Sequence, residues 1–154
     1  MKAVLQRVST ASVCVDGAVI AATGAGFLAL VGVEKGDTPV EAELLAHKVA
    51  GLRVFNDEQG KFNLAIVHPD IKGEVLAVSQ FTLLADCRKG RRPGFDAAER
   101  PAEAHALFEL FVQALEAEGV TVRCGRFGAV MEVTLVNEGP VTIILDTNTW
   151  TAGR

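Results

Sequence analysis

Ser79-Gln80-Phe81-Thr82-Leu83-Leu84 ends an apolar run with side chains able to donate, accept or orient a proton. A core strand prefers apolar residues facing inward, yet here Ser79, Gln80 and Thr82 gather at its end. Strand ends hold reacting groups well because rigid backbone positions them. The same groups also suit a sheet edge that satisfies them with backbone, and chemistry alone does not choose. A lone Thr without a base is a poor nucleophile. Asn137-Glu138-Gly139-Pro140-Val141-Thr142 lies between two apolar runs. Its Gly-Pro reads as a turn, and because few X-Pro bonds are cis the letters do not claim one.

Arg88, Lys89, Arg91 and Arg92 are crowded together and broken only by Gly90. Such a run is either a solvated loop or a clamp on a phosphate backbone. Cys87 beside them is a candidate thiol nucleophile, with no histidine close in sequence. His47, His68 and His105 have no ligand spacing with one another or with the cysteines, so no metal is expected. Gly24-Ala25-Gly26-Phe27-Leu28-Ala29 matches a dinucleotide fingerprint by letters. That motif must open a helix, and here it opens a strand-like run, so the match is rejected.

The elements that must position these residues follow from local chemistry. Val4 to Val8 and Ala11 to Val15 read as early strands, and Asp16-Gly17 is a hairpin turn leading to Ala18–Ala22. Phe27 to Val33 reads as a buried strand. Thr38-Pro39-Val40-Glu41 opens a helix with a capping box and Pro at its first position. Its expected apolar stripe is Val40, Leu44, Ala46-His47 and Val49, with His47 partly buried. Arg53-Val54-Phe55 leads into a turn at residues 56–60, and His68-Pro69-Asp70 reads as another turn. Glu74 to Leu83 is expected as one strand, followed by a polar loop to Gly94. A second helix from Pro101 shows Ala104, Leu107, Phe108, Phe111 and Leu115 on one face and closes at Gly119. Val120–Cys124, Val130–Val136 and Val141–Asp146 finish as strands. The fold class is α+β: a mixed, largely antiparallel sheet or barrel-like core with two main helices.

The chain has 154 residues, 49% of them hydrophobic and 22% charged, which excludes a disordered tail or a fibre. That length suits one domain with a real core. No apolar run is long enough to span a bilayer, and the start does not read as a signal peptide. Three separated cysteines, Cys14, Cys87 and Cys124, fit a reducing cytoplasm better than a disulfide framework. A net charge of −4 argues against nonspecific nucleic-acid coating.

Together the two polar segments resemble the D-aminoacyl-tRNA deacylase family of bacterial and eukaryotic type. The family's S-Q-F-T motif is matched at Ser79, Gln80, Phe81 and Thr82, and its N-x-G-P-V-T motif at Asn137, Gly139, Pro140, Val141 and Thr142. Gln6-Arg7-Val8, Ala11-Ser12-Val13, Gly32-Val33-Glu34, Gly60-Lys61-Phe62-Asn63-Leu64 and Gly125-Arg126-Phe127 also fit. The likeness runs from about residue 1 to residue 146, with the tail 147–154 outside it, so residues 1–154 are expected to be one deacylase domain. One departure falls in Arg92-Pro93-Gly94-Phe95, where many relatives carry Ser at the position of Gly94. A serine nucleophile is therefore excluded there.

The resemblance implies a homodimer, without cofactor or metal, that hydrolyses the ester between a D-amino acid and the terminal adenosine of tRNA and also clears glycine. It implies a cis Gly139-Pro140 bond inserted into the partner's pocket, with main-chain carbonyls for the substrate ammonium. An L side chain would collide with that dipeptide, which is specificity by built-in clash. Arg7 would help hold the loop. Backbone N–H groups of Phe81 and Thr82 would stabilise the oxyanion, with Thr82 as rival nucleophile or water-holder and the ribose 2′-hydroxyl as assistant. Gln80 would orient the ribose or adenine, and Ser79, Asn137, Val141 and Thr142 would complete the substrate site. Arg88, Lys89, Arg91 and Arg92 would meet acceptor-end phosphates. Partners are then aminoacyl-tRNA and a second copy, with no membrane, in the cytoplasm. Two other functions remain open at this stage. One is a Thr82- or Cys87-centred esterase on small molecules; the other is a noncatalytic dimeric RNA-binding module.

Overall fold

The architecture is that of a computed structural model, which describes residues 1–150. Residues 151–154 of the expected tail lie outside the described residues. Strand β1 (Lys2–Val15) is the spine. Asp16 and Gly17 both take positive φ, 51° and 78°, and fold the chain back into β2 (Ala18–Thr23). A two-residue turn of this kind matches the twist of its strands, and Gly17 adopts the left-handed conformation without a Cβ penalty. Strand β3 (Gly26–Gly32) runs antiparallel beside the first half of β1, pairing Lys2 with Gly32 and Arg7 with Phe27. β2 pairs with the second half of β1.

Two helices follow the expected caps. In α1 (Pro39–Gly51) the Thr38 hydroxyl accepts from the Val40 N–H at 3.2 Å, and the Glu41 carboxylate accepts from the Thr38 N–H at 2.8 Å. The buried face differs from the expected stripe. Ala42, Leu45, Ala46, Val49 and Ala50 are buried, Leu44 only partly, and Val40 is exposed. His47 is exposed and pairs with Glu118 at 2.9 Å. Ala42, Ala46 and Ala50 recur every four residues on one face with Leu45 and Val49, and these small side chains carry a weak apolar signal, so the larger Val40 and Leu44 pointed to the wrong stripe. Helix α2 (Pro101–Ala117) buries Leu107, Phe108, Phe111 and Leu115 as expected.

Strands β4 (Arg53–Asn56) and β5 (Phe62–Ala65) form a separate antiparallel hairpin. β6 (Glu74–Ser79) and β7 (Thr121–Cys124) add parallel partners, β6 to β3 and β7 to β6. β8 (Glu132–Asp146) runs antiparallel along nearly the whole of β1. The two final strands expected from the sequence are therefore one continuous strand.

Both faces of this mixed sheet are buried. Leu5, Phe27, Val31 and Val75 meet Leu45, Val49, Phe111 and Leu115 of the helices. On the other face, Leu28, Leu76 and Val78 meet Val8, Ala11, Val13 and Val15, with Met131, Val133 and Leu135 of β8 packed against them. Register slips between Gln6 and Val8 and between Val8 and Thr10 turn the odd-numbered side chains of β1 from the helix-side cluster (Ala3, Leu5) to the opposite one (Ala11, Val13, Val15). The sheet thereby curls into a nearly closed, barrel-like core, and the class is α+β. Among the described residues no helix is long and apolar enough to cross a membrane.

Candidate functional site

The expected strand Glu74–Leu83 ends at Ser79, where Val31 of β3 is its last partner. The Gln80 N–H still donates to the Val31 carbonyl at 2.8 Å. Beyond it β3 runs out, and Phe81–Leu84 winds into a 3-10 turn. Gly32 makes room for that turn. A Cβ there would stand 2.5 Å from Leu84 Cδ2 and 3.0 Å from the Gln80 carbonyl oxygen. The first amides of such a turn have no partner within it. Neither the Phe81 nor the Thr82 N–H has an acceptor among the described residues. Two unbonded donors thus sit together at the end of a rigid strand.

Gln80 Nε2 donates to the Thr82 hydroxyl. No base is arranged to activate that hydroxyl. The three histidines are engaged elsewhere: His47 with Glu118, His68 with Asp70, and His105 with Glu109 and stacked on Phe127 at 4.4 Å. Cys87 is exposed, and burial among apolar neighbours pushes the Cys124 thiol up from its ordinary value. Among the described residues no three His, Cys, Asp or Glu side chains gather as a metal site.

Ser79, Gln80 and Phe81 form one lip of a pocket of about 550 Å³. Phe95, Phe127, Met131 and Val133 supply apolar walls, and Glu99 is the carboxylate at its edge. Phe81 is exposed and meets Phe95 edge to face, with centroids 5.1 Å apart. Flat apolar walls beside a few polar groups suit a planar, partly polar ligand. On the far side of the 3-10 turn lies an open groove of about 1020 Å³ lined by Lys2, Arg88, Lys89 and Arg92, with Asp86 and Asp96. Arg91 is exposed but outside that lining. Asp86 and Gly94 exchange backbone hydrogen bonds of 2.7 and 2.9 Å, which close the basic loop. Arg88 grips Asp86 through two bonds of 2.9 and 2.6 Å, and this holds the Asp86 carboxyl well below the usual carboxylate range. A Cβ on Gly94 would meet little, its nearest neighbour being the Asp86 carbonyl at 4.0 Å.

The second motif is a bulge in β8. Gln6 pairs with Thr142 and Val8 with Asn137, so Glu138, Gly139, Pro140 and Val141 all stand opposite Arg7. Asn137 closes this loop: its Oδ1 accepts from the Val141 N–H at 2.8 Å and its Nδ2 donates to Thr142 Oγ1 at 3.2 Å. Gly139 has φ 137°, and a Cβ there would lie 2.7 Å from Val141 Cγ2. Gly139 and Pro140 are exposed, and the peptide bond between them is cis. Arg7 is buried beneath them and donates from Nε to the Glu138 carbonyl at 3.1 Å.

One chain does not bring the two motifs together. Ser79 lies level with Val31 and Ala3, while the bulge lies level with Arg7, four residues along β1. That offset is about 13 Å at the ordinary strand rise, before the width of the intervening strands is counted. The pocket at Ser79–Phe81 accordingly has no wall from Gly139 or Pro140 of the same chain. Gly32 and Phe62 stand in segments that fit the family resemblance, but with no role attached to them; the Asp86–Arg88 pair and the contacts of Val54 and Asn56 with Arg7 have no signal in the sequence.

Comparison with known proteins gives a consistent picture. The family profile described as D-Tyr-tRNA(Tyr) deacylase matches residues 4–146. A D-aminoacyl-tRNA deacylase of Roseiflexus castenholzii is 57% identical over 146 residues, 95% of this chain and 92% of that protein. One of Geotalea uraniireducens is 56% identical over 147 residues, 96% of this chain and 94% of that protein. Among solved structures, a c-Myc DNA unwinding element binding protein superposes with a TM-score of 0.87 at 41% identity, covering 95% of this chain and 98% of its own. A probable eukaryotic D-amino acid tRNA deacylase shares the fold, with a TM-score of 0.79 at 16% identity over 94% of this chain and 97% of its own.

Proposed function

The chain belongs to the D-Tyr-tRNA(Tyr) deacylase family, and from that membership we propose that it hydrolyses the ester joining a D-amino acid to the terminal adenosine of tRNA. The observation that carries this reading is the unbonded N–H pair of Phe81 and Thr82 at the lip of the apolar pocket. The terminal adenosine enters the pocket, with Phe81 against it and Gln80 orienting the ribose. A water attacks the ester carbonyl carbon, and the two amides receive the charge that develops on the carbonyl oxygen. The tetrahedral intermediate collapses with loss of the ribose 3′-oxygen. The proton given up by the water passes to that oxygen, helped by the neighbouring 2′-hydroxyl. The free amino acid and the tRNA leave. Such an ester is already activated, so no side-chain nucleophile is needed.

The chiral filter comes from a second copy of the chain. The exposed Gly139-Pro140 loop of one subunit enters the other's pocket, and its main-chain carbonyls receive the substrate ammonium. With amine and Cα fixed, a D side chain points to open space and an L side chain meets the dipeptide. Glycine has no side chain to reject and is hydrolysed as well. The 13 Å offset within one chain supports this arrangement, because the loop cannot serve its own pocket. Lys89, Arg91 and Arg92 meet phosphates of the acceptor end, while Arg88 is already committed to Asp86. The enzyme works on translation in the cytoplasm.

Hydrolysis of matched D- and L-aminoacyl-tRNA by the purified protein tests the reading. Rapid release of the D-amino acid and glycine with the L-ester left intact is expected. Equal rates on both enantiomers defeat it.

A further inference from the structure

Arg7 is the one charged side chain among the buried residues described. No carboxylate lies within ion-pair distance of it among those residues. A buried cation without a counter-ion must be held by neutral acceptors, and its position depends on all of them. Those acceptors come from two places. The Glu138 carbonyl belongs to the bulge, at 3.1 Å from Nε. The rest belong to the β4–β5 hairpin. Nη1 donates to the Val54 carbonyl at 2.7 Å and to Asn56 Oδ1 at 3.3 Å, and the guanidinium lies 5.3 Å from the centroid of the Phe62 ring.

The hairpin is itself locked. The Asp57 carboxylate accepts from the Gln59 and Lys61 N–H groups at 2.9 and 3.0 Å and from Asn63 Nδ2 at 3.0 Å. Arg53 Nε donates to the Asn63 carbonyl at 2.7 Å. Phe62 is 56% exposed, so burial in the core does not account for its placement. An exposed ring over a buried guanidinium is a cation–aromatic contact rather than a packing residue.

We propose that the β4–β5 hairpin is the bracket that sets the Gly139-Pro140 loop, acting through Arg7, with Phe62 and Asn56 as positioning residues for enantiomer selection. The inference rests on the reading that this loop is the chiral filter. A loop loosened by a few tenths of an ångström would admit L side chains while its carbonyls still reached the ammonium of a D substrate, because steric rejection falls off more steeply with distance than a charge-assisted hydrogen bond; larger displacements cost both.

The test is the ratio of kcat/KM for D- over L-aminoacyl-tRNA in Phe62→Leu, Phe62→Tyr and Asn56→Ala, with folding checked by circular dichroism. Phe62→Leu keeps apolar bulk but removes the ring. It should lower the ratio about two- to fivefold, the weight of one partly exposed cation–aromatic contact. Most of that change should be a gain on the L substrate. Phe62→Tyr should restore the wild-type ratio, and Asn56→Ala should lower it. A selective wild type with an unchanged ratio in Phe62→Leu and Asn56→Ala overturns the bracket and leaves the filter standing. A wild type that does not discriminate overturns the filter, and the bracket with it.

Discussion

Arg7 and Glu138 face each other where β8 departs from its ladder: the Arg7 Nε–H donates to the Glu138 carbonyl at 3.1 Å, and the exposed Gly139-Pro140 step follows at once. A buried cation on the spine of the sheet thereby holds an irregular loop at the surface. Replacing Arg7 with Leu strips the buried Val54 carbonyl of its donor. Chemical denaturation should show a loss of about 1–3 kcal/mol for that orphaned acceptor. Activity should fall further than stability, because the loop loses its anchor.

Gly139 is intolerant of a side chain. Its φ of 137° is unsuited to L residues, and a Cβ would lie 2.7 Å from Val141 Cγ2 and 3.0 Å from the Val141 nitrogen. The loop is exposed, so Gly139→Ala should fold. Kinetics should show a loss of about a hundredfold on the D substrate, the usual cost of an ångström's misplacement near the chemistry.

The oxyanion donors can be separated from the side chains that carry them. Phe81→Ala keeps the amide; Phe81→Pro removes it. Proline can take the first position of the 3-10 turn, because the Phe81 N–H has no partner to lose and Gln80 before it (φ −141°, ψ 84°) lies outside the helical region that a following proline disfavours. Single-turnover rates should drop about a hundred- to a thousandfold more in Phe81→Pro than in Phe81→Ala. Thr82→Ala, which keeps its amide, should stay much closer to wild type.

Charge in the basic loop should be read out by salt. Each phosphate contact on a single strand contributes a slope of about −0.7 in log K against log salt. Replacing Lys89, Arg91 and Arg92 together with Ala should flatten the slope by about 2. Arg88→Ala should change it less, because Asp86 already neutralises that guanidinium. Filter binding across a salt series distinguishes them.

Acid should loosen the hairpin bracket. Hydrogen bonds from Lys61, Gln59 and Asn63 lower the Asp57 carboxyl below its ordinary value. A depressed carboxylate contributes stability that is fully present above the unfolded value of about 3.9 and is lost as pH falls through the folded one. Melting temperature should therefore decline below about pH 4, and Asp57→Asn should decline less steeply there while starting lower at neutral pH.

Legibility in the sequence followed the range of the interaction. Asp16-Gly17 and Thr38-Pro39-Glu41 act within a few residues, and both turn and cap form as read. The 3-10 turn after Ser79 depends on the notch at Gly32, far away in the chain, so the run to Leu83 looked like one strand. The bulge in β8 lies opposite Arg7 of a distant strand, a pairing that residue spacing does not reveal, so the segment reads as two strands with a turn between. The stripe on α1 was displaced because its buried residues are largely alanines. The two motifs were readable as letters. Their separation within a chain, and the contacts of Arg7 with Val54, Asn56 and Phe62, are matters of tertiary arrangement alone.

The central claim is a pocket completed by a second subunit, and a mixed dimer tests it most directly. Phe81→Pro disables the pocket and spares the loop; Gly139→Ala does the reverse. Co-expressed with different affinity tags and purified through both, the heterodimer has one site with an intact pocket facing an intact loop. It should recover about half of wild-type activity on D-aminoacyl-tRNA, as two-fold symmetry requires. Activity no higher than that of the two parent variants would contradict the account.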